Sequence, residues 1–238
     1  MKLDILAFGA HPDDVELCCA GTLMVEKLNG KKTGIIDLTK GEMGTRGSAA
    51  IRLKEAATAA KILQLDVREN LGMADAFFAN DETNQRKIIT AIRKYQPEII
   101  LCNAPEDRHP DHGKAAKLIE DAAFLSGLRK IETSDKDAQQ EPWRAKYVFN
   151  YIQDRQLAPD FLIDITSVME IKKEAIKAYG TQFYNPGLDE PQTYISSPDF
   201  IKIIEARAME FGKSIGVRYA EGFTSTKILG VQSLFDLR

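Results

Sequence analysis

The amino-acid sequence predicts an α/β protein built on a mostly parallel sheet with helices on both faces. Between residues 3 and 152, short apolar runs alternate with segments of helical periodicity. Alternation of this kind packs as strands joined by crossover helices. The apolar runs, among them LDILAFG, TGIIDLT and EIILCN, largely lack a polar alternate face, as strands covered on both sides should.

Residues 3–9 form the first such run and end at Gly9 as a buried strand. From Val15 to Asn29 the apolar residues Val15, Leu17, Cys18, Leu23, Met24 and Leu28 recur at helical spacing, and Asn29-Gly30 stops the helix as a C-cap does. Residues 33–39 make a second strand, GEMGTRGS a glycine-rich loop, and 49–65, rich in Ala, Lys and Glu, a helix. A third strand follows at 67–73 and an amphipathic helix at 82–95. Pro97 introduces a fourth strand at 98–103, then come a helix over 111–126 and a fifth strand over 146–152. The polar segment 132–144 between them is expected to be an exposed loop. Beyond lie an apolar run at 161–165, helices near 168–179 and 198–213, a Pro/Gly/Asn-containing loop over 184–198 and a last short element at 226–231. The order is Rossmann-like, with a helical and strand extension at the C-terminal end, and residues 1–238 are expected to form a single domain.

Of the 238 residues, 44% are hydrophobic, enough for a core without disulfide staples. The 32 Lys and Arg nearly balance 35 Asp and Glu, so the net charge is only -3 and offers no basic field to nucleic acid or an anionic membrane. Neither is expected as a partner. Three cysteines, two of them adjacent (Cys18, Cys19), make no disulfide framework and fit a reducing, cytoplasmic setting. The first apolar run is interrupted by Asp4, unlike a signal peptide, and no stretch approaches the ~20 apolar residues of a membrane span.

All three histidines fall in two similar tetrapeptides, His11-Pro12-Asp13-Asp14 and His109-Pro110-Asp111-His112, each downstream of a predicted strand. In a parallel sheet, ligands collect at the carboxyl ends of strands where strand order reverses. If strands one and four are neighbours there, the two clusters face each other. An aspartate at a strand-to-helix turn is commonly no more than an N-cap, but capping leaves the matched histidines unexplained. Imidazole nitrogen combined with carboxylate, at three protein ligands and an open position, describes a catalytic zinc site. Fe²⁺ or Co²⁺ would suit the same donors. No C-x-x-C pair flanks the clusters, and Cys18, Cys19 and Cys102 read as small core residues.

The pattern Ala10-His11-Pro12-Asp13-Asp14-Val15-Glu16, the loop GEMGTRGS with Arg52 and Glu55 after it, and Arg108-His109-Pro110-Asp111-His112 resemble the LmbE-like or PIG-L-like N-acetylglucosaminyl deacetylases nearly end to end. The stretches Thr181–Pro186 and Ile215–Phe223 are similar to the bacillithiol-biosynthesis branch, which deacetylates N-acetylglucosaminyl-malate. The resemblance implies an LmbE-like fold, a zinc ion held by His11, Asp14 and His112, and Asp13 as general base. It implies that His109 faces the scissile carbonyl, with Asp111 fixing its tautomer. Arg52 and Asp75 match positions that hold sugar hydroxyls, and a homo-oligomer, trimer or hexamer, is expected.

Amide hydrolysis needs an activated water, and a bound metal lowers the pKa of water from 15.7 to about 7. Asp13 would take the proton, His109 would stabilise the oxyanion, and either could return a proton to the leaving amine. Arg46, Arg52 and Arg108 lie near these loops and predict an anionic leaving half, unless they only neutralise neighbouring acids. Tyr184 and Tyr194 are candidates for closing over the substrate. GEMGTRGS matches neither G-x-G-x-x-G nor G-x-x-x-x-G-K-[ST], so a phosphate cradle is unsupported. A non-catalytic nucleotide-binding module, which the fold alone permits, is the rival from another class, although His-Pro-Asp-Asp stands where its glycine fingerprint would be. A deacetylase or amidase acting on inositol-linked or oligomeric N-acetylglucosamine is the rival within the enzyme class.

Overall fold

A computed structural model describes residues 1–183, 185–187 and 189–236 of the chain. The strands are β1 (Ile5–Gly9), β2 (Thr33–Thr39), β3 (Val67–Met73), β4 (Ile99–Cys102), β5 (Ser134–Asp135), β6 (Ala138–Gln139), β7 (Tyr147–Tyr151), β8 (Phe161–Asp164) and β9 (Ala220–Thr224). The main sheet takes them in the order β3-β2-β1-β4-β7-β9-β8, with β5 and β6 paired apart from it. Strands β3, β2, β1, β4 and β7 pair in parallel, while β9 runs antiparallel to both β7 and β8. The predicted α/β sheet, its parallel core and its C-terminal extension are all present.

Period-two alternation along β1 explains the lack of a polar face. Ile5 and Ala7 point into one core with Val15, Leu23, Ala56, Ile176 and Tyr179. Leu6 and Phe8 point into the other with Ile88, Ile92, Leu118 and Ile119. The first core lies under α1 (Asp14–Cys18), α2 (Ala20–Leu28), α3 (Ala49–Ile62) and α6 (Met169–Lys177), the second under α4 (Glu82–Tyr95) and α5 (Pro110–Leu125), and α7 (Phe200–Ser214) packs on β9. Local chemistry sets the boundaries: Ser48 and Asp81 cap α3 and α4 by accepting from Ile51 N–H and Asn84 N–H. Gln96 turns left-handed (φ 45°) just before Pro97 and ends α4.

Three expectations are corrected. The helix expected over 15–29 is two helices that break at Cys19. The cause lies 200 residues away: the Glu221 carboxylate on β9 accepts from Gly21 N–H (2.9 Å), Thr22 N–H (2.6 Å) and the Thr22 hydroxyl (2.6 Å), creating a new helix N-terminus. A Cβ on Gly21 would lie 2.8 Å from Ile165 and 2.9 Å from that carboxylate. Within the polar segment 132–144, β5 and β6 form a small hairpin. Lys136 and Asp137 at its tip both have positive φ, the geometry of a tight hairpin turn. The last strand is at 220–224, where Glu221 and Gly222 obscure the apolar pattern, and 226–231 carries no regular structure. Among the described residues no helix is long and apolar enough to cross a membrane.

Candidate active site

Because β1 pairs with β4 (Ile5 opposite Ile99), the two histidine tetrapeptides meet at the carboxyl end of the sheet. The ring centroids lie 4.7 Å (His11–His109), 5.7 Å (His11–His112) and 5.2 Å (His109–His112) apart. They line a cleft of about 330 Å³ together with Asp13, Asp14 and Arg52. Asp13 sits where β1 turns into α1 with φ 115°, a left-handed value that a non-glycine residue holds at a cost of about 1–3 kcal/mol. Its side chain makes no capping hydrogen bond. The ordinary explanation for an aspartate at this position therefore does not apply, and its buried carboxylate borders the cleft.

The donor set fits a cation. His112 Nε2 lies 3.1 Å from Asp14 Oδ1, and His11 Nδ1 lies 3.7 Å from Asp14 Oδ2. The outer nitrogens are held by carboxylates: His11 Nε2 is 3.0 Å from Asp75 Oδ1 and 3.3 Å from Asp111 Oδ2, and His112 Nδ1 is 2.5 Å from Asp107 Oδ2. Anchoring one imidazole nitrogen on a carboxylate fixes the tautomer and aims the other nitrogen inward, as in metal-binding histidines. Among the described residues, two groups of potential ligand atoms lie within 4.8 Å of one another, the three histidines and His11 with Asp75 and Asp111, and Asp14 stands in neither. In the second, the carboxylates serve as the outer anchors of His11.

The electrostatics agree. Burial opposes a charged His11, but hydrogen bonds to Asp111 and Asp75 and the charge of Asp14 outweigh it and raise the imidazole to about 10. Burial likewise opposes charge on His112, yet Asp14 and Asp107 lift it to about 9. Burial works against an ionised Asp14, but His112 and His11 hold its carboxyl well below the usual range. These surroundings favour positive charge at the atoms where a cation would supply it. Asp13 differs: burial pushes it up, Arg52 pulls it down, Asp14 pushes it up again, and the balance is about 7. A base poised there accepts and releases protons near neutrality. His109 is held below its ordinary value by burial and by the charges of His11 and His112.

One sequence assignment changes and another gains a second role. The Asp111 carboxylate does not fix His109; it accepts from Ala76 N–H (3.0 Å) and lies against His11 and Lys114. The backbone N–H of Asp111 instead donates to His109 Nδ1 (3.2 Å). An accepting Nδ1 leaves the proton on Nε2 of neutral imidazole, so His109 is a hydrogen-bond donor at its other nitrogen. Asp75, expected to hold a sugar hydroxyl, lines the cleft, and its oxygens meet His11 Nε2 and Met43 N–H (2.9 Å), so it also orients a histidine.

The arginines divide. Arg46 is paired with Glu190 and donates to the Phe183 carbonyl. Arg108 lies 3.4 Å from Asp154 and stacks over Tyr194, whose hydroxyl donates to the same carboxylate. Both are neutralised, though by acids other than those of the two histidine clusters. Arg52 is buried, and among the described residues no hydrogen bond or ion pair within 4 Å engages its guanidinium. Gly41 and Gly44 make room for it, since a Cβ on either would lie 2.0 Å or 2.9 Å from its nitrogens. Tyr194 lines the cleft, half-exposed; Tyr184 lies outside the described residues.

Sequence reasoning missed Asp107, Asn103 and Gln153. Asp107 stands five residues before His112, and Asn103 and Gln153 follow the ends of β4 and β7. A polar residue just past a buried parallel strand was the available signal.

A family model described as PIG-L: GlcNAc-PI de-N-acetylase matches residues 6–123. The chain is 29% identical to the diacetylchitobiose deacetylase of Thermococcus kodakarensis over 228 residues, covering 92% of this chain and 81% of that one. It is 24% identical over 193 residues to a probable N-acetyl-alpha-D-glucosaminyl L-malate deacetylase 2 of Bacillus anthracis, covering 75% and 81%. The crystal structure of a conserved protein from Thermus thermophilus matches at 37% identity and a TM-score of 0.85, over 97% of this chain and 98% of that one.

Proposed function

Because the chain belongs to the PIG-L family of de-N-acetylases, we propose that it hydrolyses the N-acetyl group of an N-acetylglucosamine conjugate with Zn²⁺ held by His11, Asp14 and His112. The observation that carries this reading is the pair of imidazoles anchored from behind by carboxylates and aimed at Asp14. When bound, the ion would lower the pKa of water and polarise the acyl carbonyl. Asp13 takes the proton from the attacking water as its oxygen bonds to the acetyl carbon. His109 Nε2–H donates to the carbonyl oxygen as negative charge develops there, a contact of a kind worth ~3–4 kcal/mol. The C–N bond then breaks, Asp13 returns the proton to the departing amine, and glucosamine conjugate and acetate leave.

The pocket's charges weigh the aglycone. With Arg46 and Arg108 already opposed by Glu190 and Asp154, a neutral saccharide is the first reading, in line with the diacetylchitobiose deacetylase relative. An anionic aglycone such as malate is the second, favoured by the unpaired guanidinium of Arg52 and by the malate deacetylase relative. Free, buried Cys18, Cys19 and Cys102 support a reducing, cytoplasmic location. Residues 1–238 are taken to work as one domain, since Gln153, Thr193 and Arg207 complete a cleft begun by His11. A homo-oligomer is supported by Ile228, Leu234 and Phe235, exposed at 94%, 81% and 97%.

Acetate release from N,N'-diacetylchitobiose and from N-acetylglucosaminyl-malate by zinc-loaded protein tests the activity, and hydrolysis of neither refutes it. His112→Ala should lose zinc and activity together. Asp13→Ala should keep the metal and lose ~10²–10⁴-fold in kcat. Metal analysis showing equal zinc loss in the two variants would overturn the division between ligand and base.

A further inference from the structure

We infer that Gln153 is a positioning residue whose side-chain amide holds Oδ1 of Asp14 and so sets how that carboxylate meets the metal. The inference rests on the reading that Asp14 and His112 are ligands. Gln153 follows β7, lines the cleft and is buried. Its Oε1 accepts from Asn103 Nδ2 (3.0 Å) and from the backbone N–H of Ala104 (3.1 Å). A backbone N–H only donates, so the amide can stand only one way round. Its nitrogen therefore faces inward, 3.3 Å from Asp14 Oδ1 and 3.5 Å from His112 Nε2.

Asn103 is fixed by the same logic. Its Oδ1 accepts from Ala10 N–H (3.0 Å), which turns its Nδ2 toward Asp14 Oδ2 (3.0 Å). His11 N–H donates to that same oxygen at 3.0 Å. Oδ2 thus carries two protein donors, while Oδ1 carries one, from Gln153, beside His112 Nε2. By that count Oδ1 is the oxygen with a lone pair left, beside His112 Nε2. An amide nitrogen has no lone pair to offer a cation, so Gln153 occupies the flank of Oδ1 without becoming a ligand. The clamp joins the start of α1, through Asp14, to the segments that follow β4 and β7, through Asn103 and Gln153.

Two variants separate positioning from packing. Gln153→Met keeps length and volume but has no donor; Gln153→Glu keeps an acceptor for Ala104 N–H and sets an oxygen against Asp14. Zinc affinity is measured by chelator competition, the Co²⁺-loaded protein by its visible absorption, and the metal-free protein by its Tm. Outer ligand-orienting contacts are worth 10–100-fold in metal affinity, so Gln153→Met should weaken zinc binding by that factor, while the metal-free Tm falls only by the loss of the acceptor for Ala104 N–H and Asn103 Nδ2. Gln153→Glu should change the Co²⁺ spectrum by adding an oxygen donor. If Gln153→Met binds zinc as tightly as the parent while His112→Ala loses it, the positioning role is overturned and the ligand assignment stands. If His112→Ala also keeps zinc, the ligand assignment fails and the inference fails with it. Weaker binding matched by an equal fall in metal-free stability in both variants would assign Gln153 to packing alone.

Discussion

At the scale of single residues, position and environment divide labour among chemically identical groups. Asp13 and Asp14 are neighbours in sequence, yet one is pushed up by burial and the other held down by two imidazoles. The first suits a proton acceptor and the second an anionic ligand, which is the pattern expected when adjacent carboxylates do different work. Arg52 supplies the attraction that keeps Asp13 from rising further. Asp13 must be unprotonated to act, so activity rises as pH passes through its titration. Removing a nearby cation raises a carboxylate pKa, by about 1–3 units for close pairs, and Arg52→Met should therefore move the acid limb of kcat to higher pH. An acid limb that stays put in a kcat–pH profile would detach Arg52 from the base. The histidines, Asp13 and Asp14 were legible in the sequence because their residue types are scarce and their spacing repeats. Asp111 was misassigned because sequence proximity to His109 says nothing of which oxygen or N–H meets which ring. Gln153 went unseen because an amide gains meaning only from the backbone N–H of Ala104 opposite it.

At the scale of elements, β1, β2, β4 and β7 of the parallel core were readable because each is a local apolar run, and the helices because each is a local period; β3, with Arg68, Glu69 and Asn70, was the faintest of the five. The C-terminal third was read less well. Its strand β9 carries Glu221, a buried carboxylate that no strand propensity anticipates. That residue caps α2 and pairs with Lys172 of α6 at 2.6 Å, so three elements far apart in sequence share one charge. Breaking a buried pair leaves a cation without a partner, which costs about 3–5 kcal/mol. Glu221→Ala should lower the free energy of unfolding by that amount in urea melts. Pairing Glu221→Leu with Lys172→Met should recover much of it, because the stranded charge is then gone. A Glu221→Ala loss below about 1 kcal/mol would mean that water reaches the pair.

At the scale of the whole molecule, a run of exposed apolar side chains, Ile228, Leu229, Val231, Leu234 and Phe235, lies on the segment after β9. A surface of this kind marks an interaction site, and its match in the proposal is another copy of the chain. Ile228→Asp combined with Phe235→Asp should reduce the mass found by sedimentation toward that of a monomer, and an unchanged mass would remove this segment from the assembly. The sheet order also has a consequence in time. β9, the last strand in sequence, lies between β7 and β8, so the outer edge of β7 finds its neighbour only after residues 220–224 leave the ribosome. At about 5–20 residues per second, a nascent chain spends several seconds with that edge unpaired. An open edge is a template for pairing with the wrong chain. During biosynthesis the molecule is thus most exposed to aggregation after its two histidine turns have been translated, and slow translation of the stretch before β9 lengthens that interval.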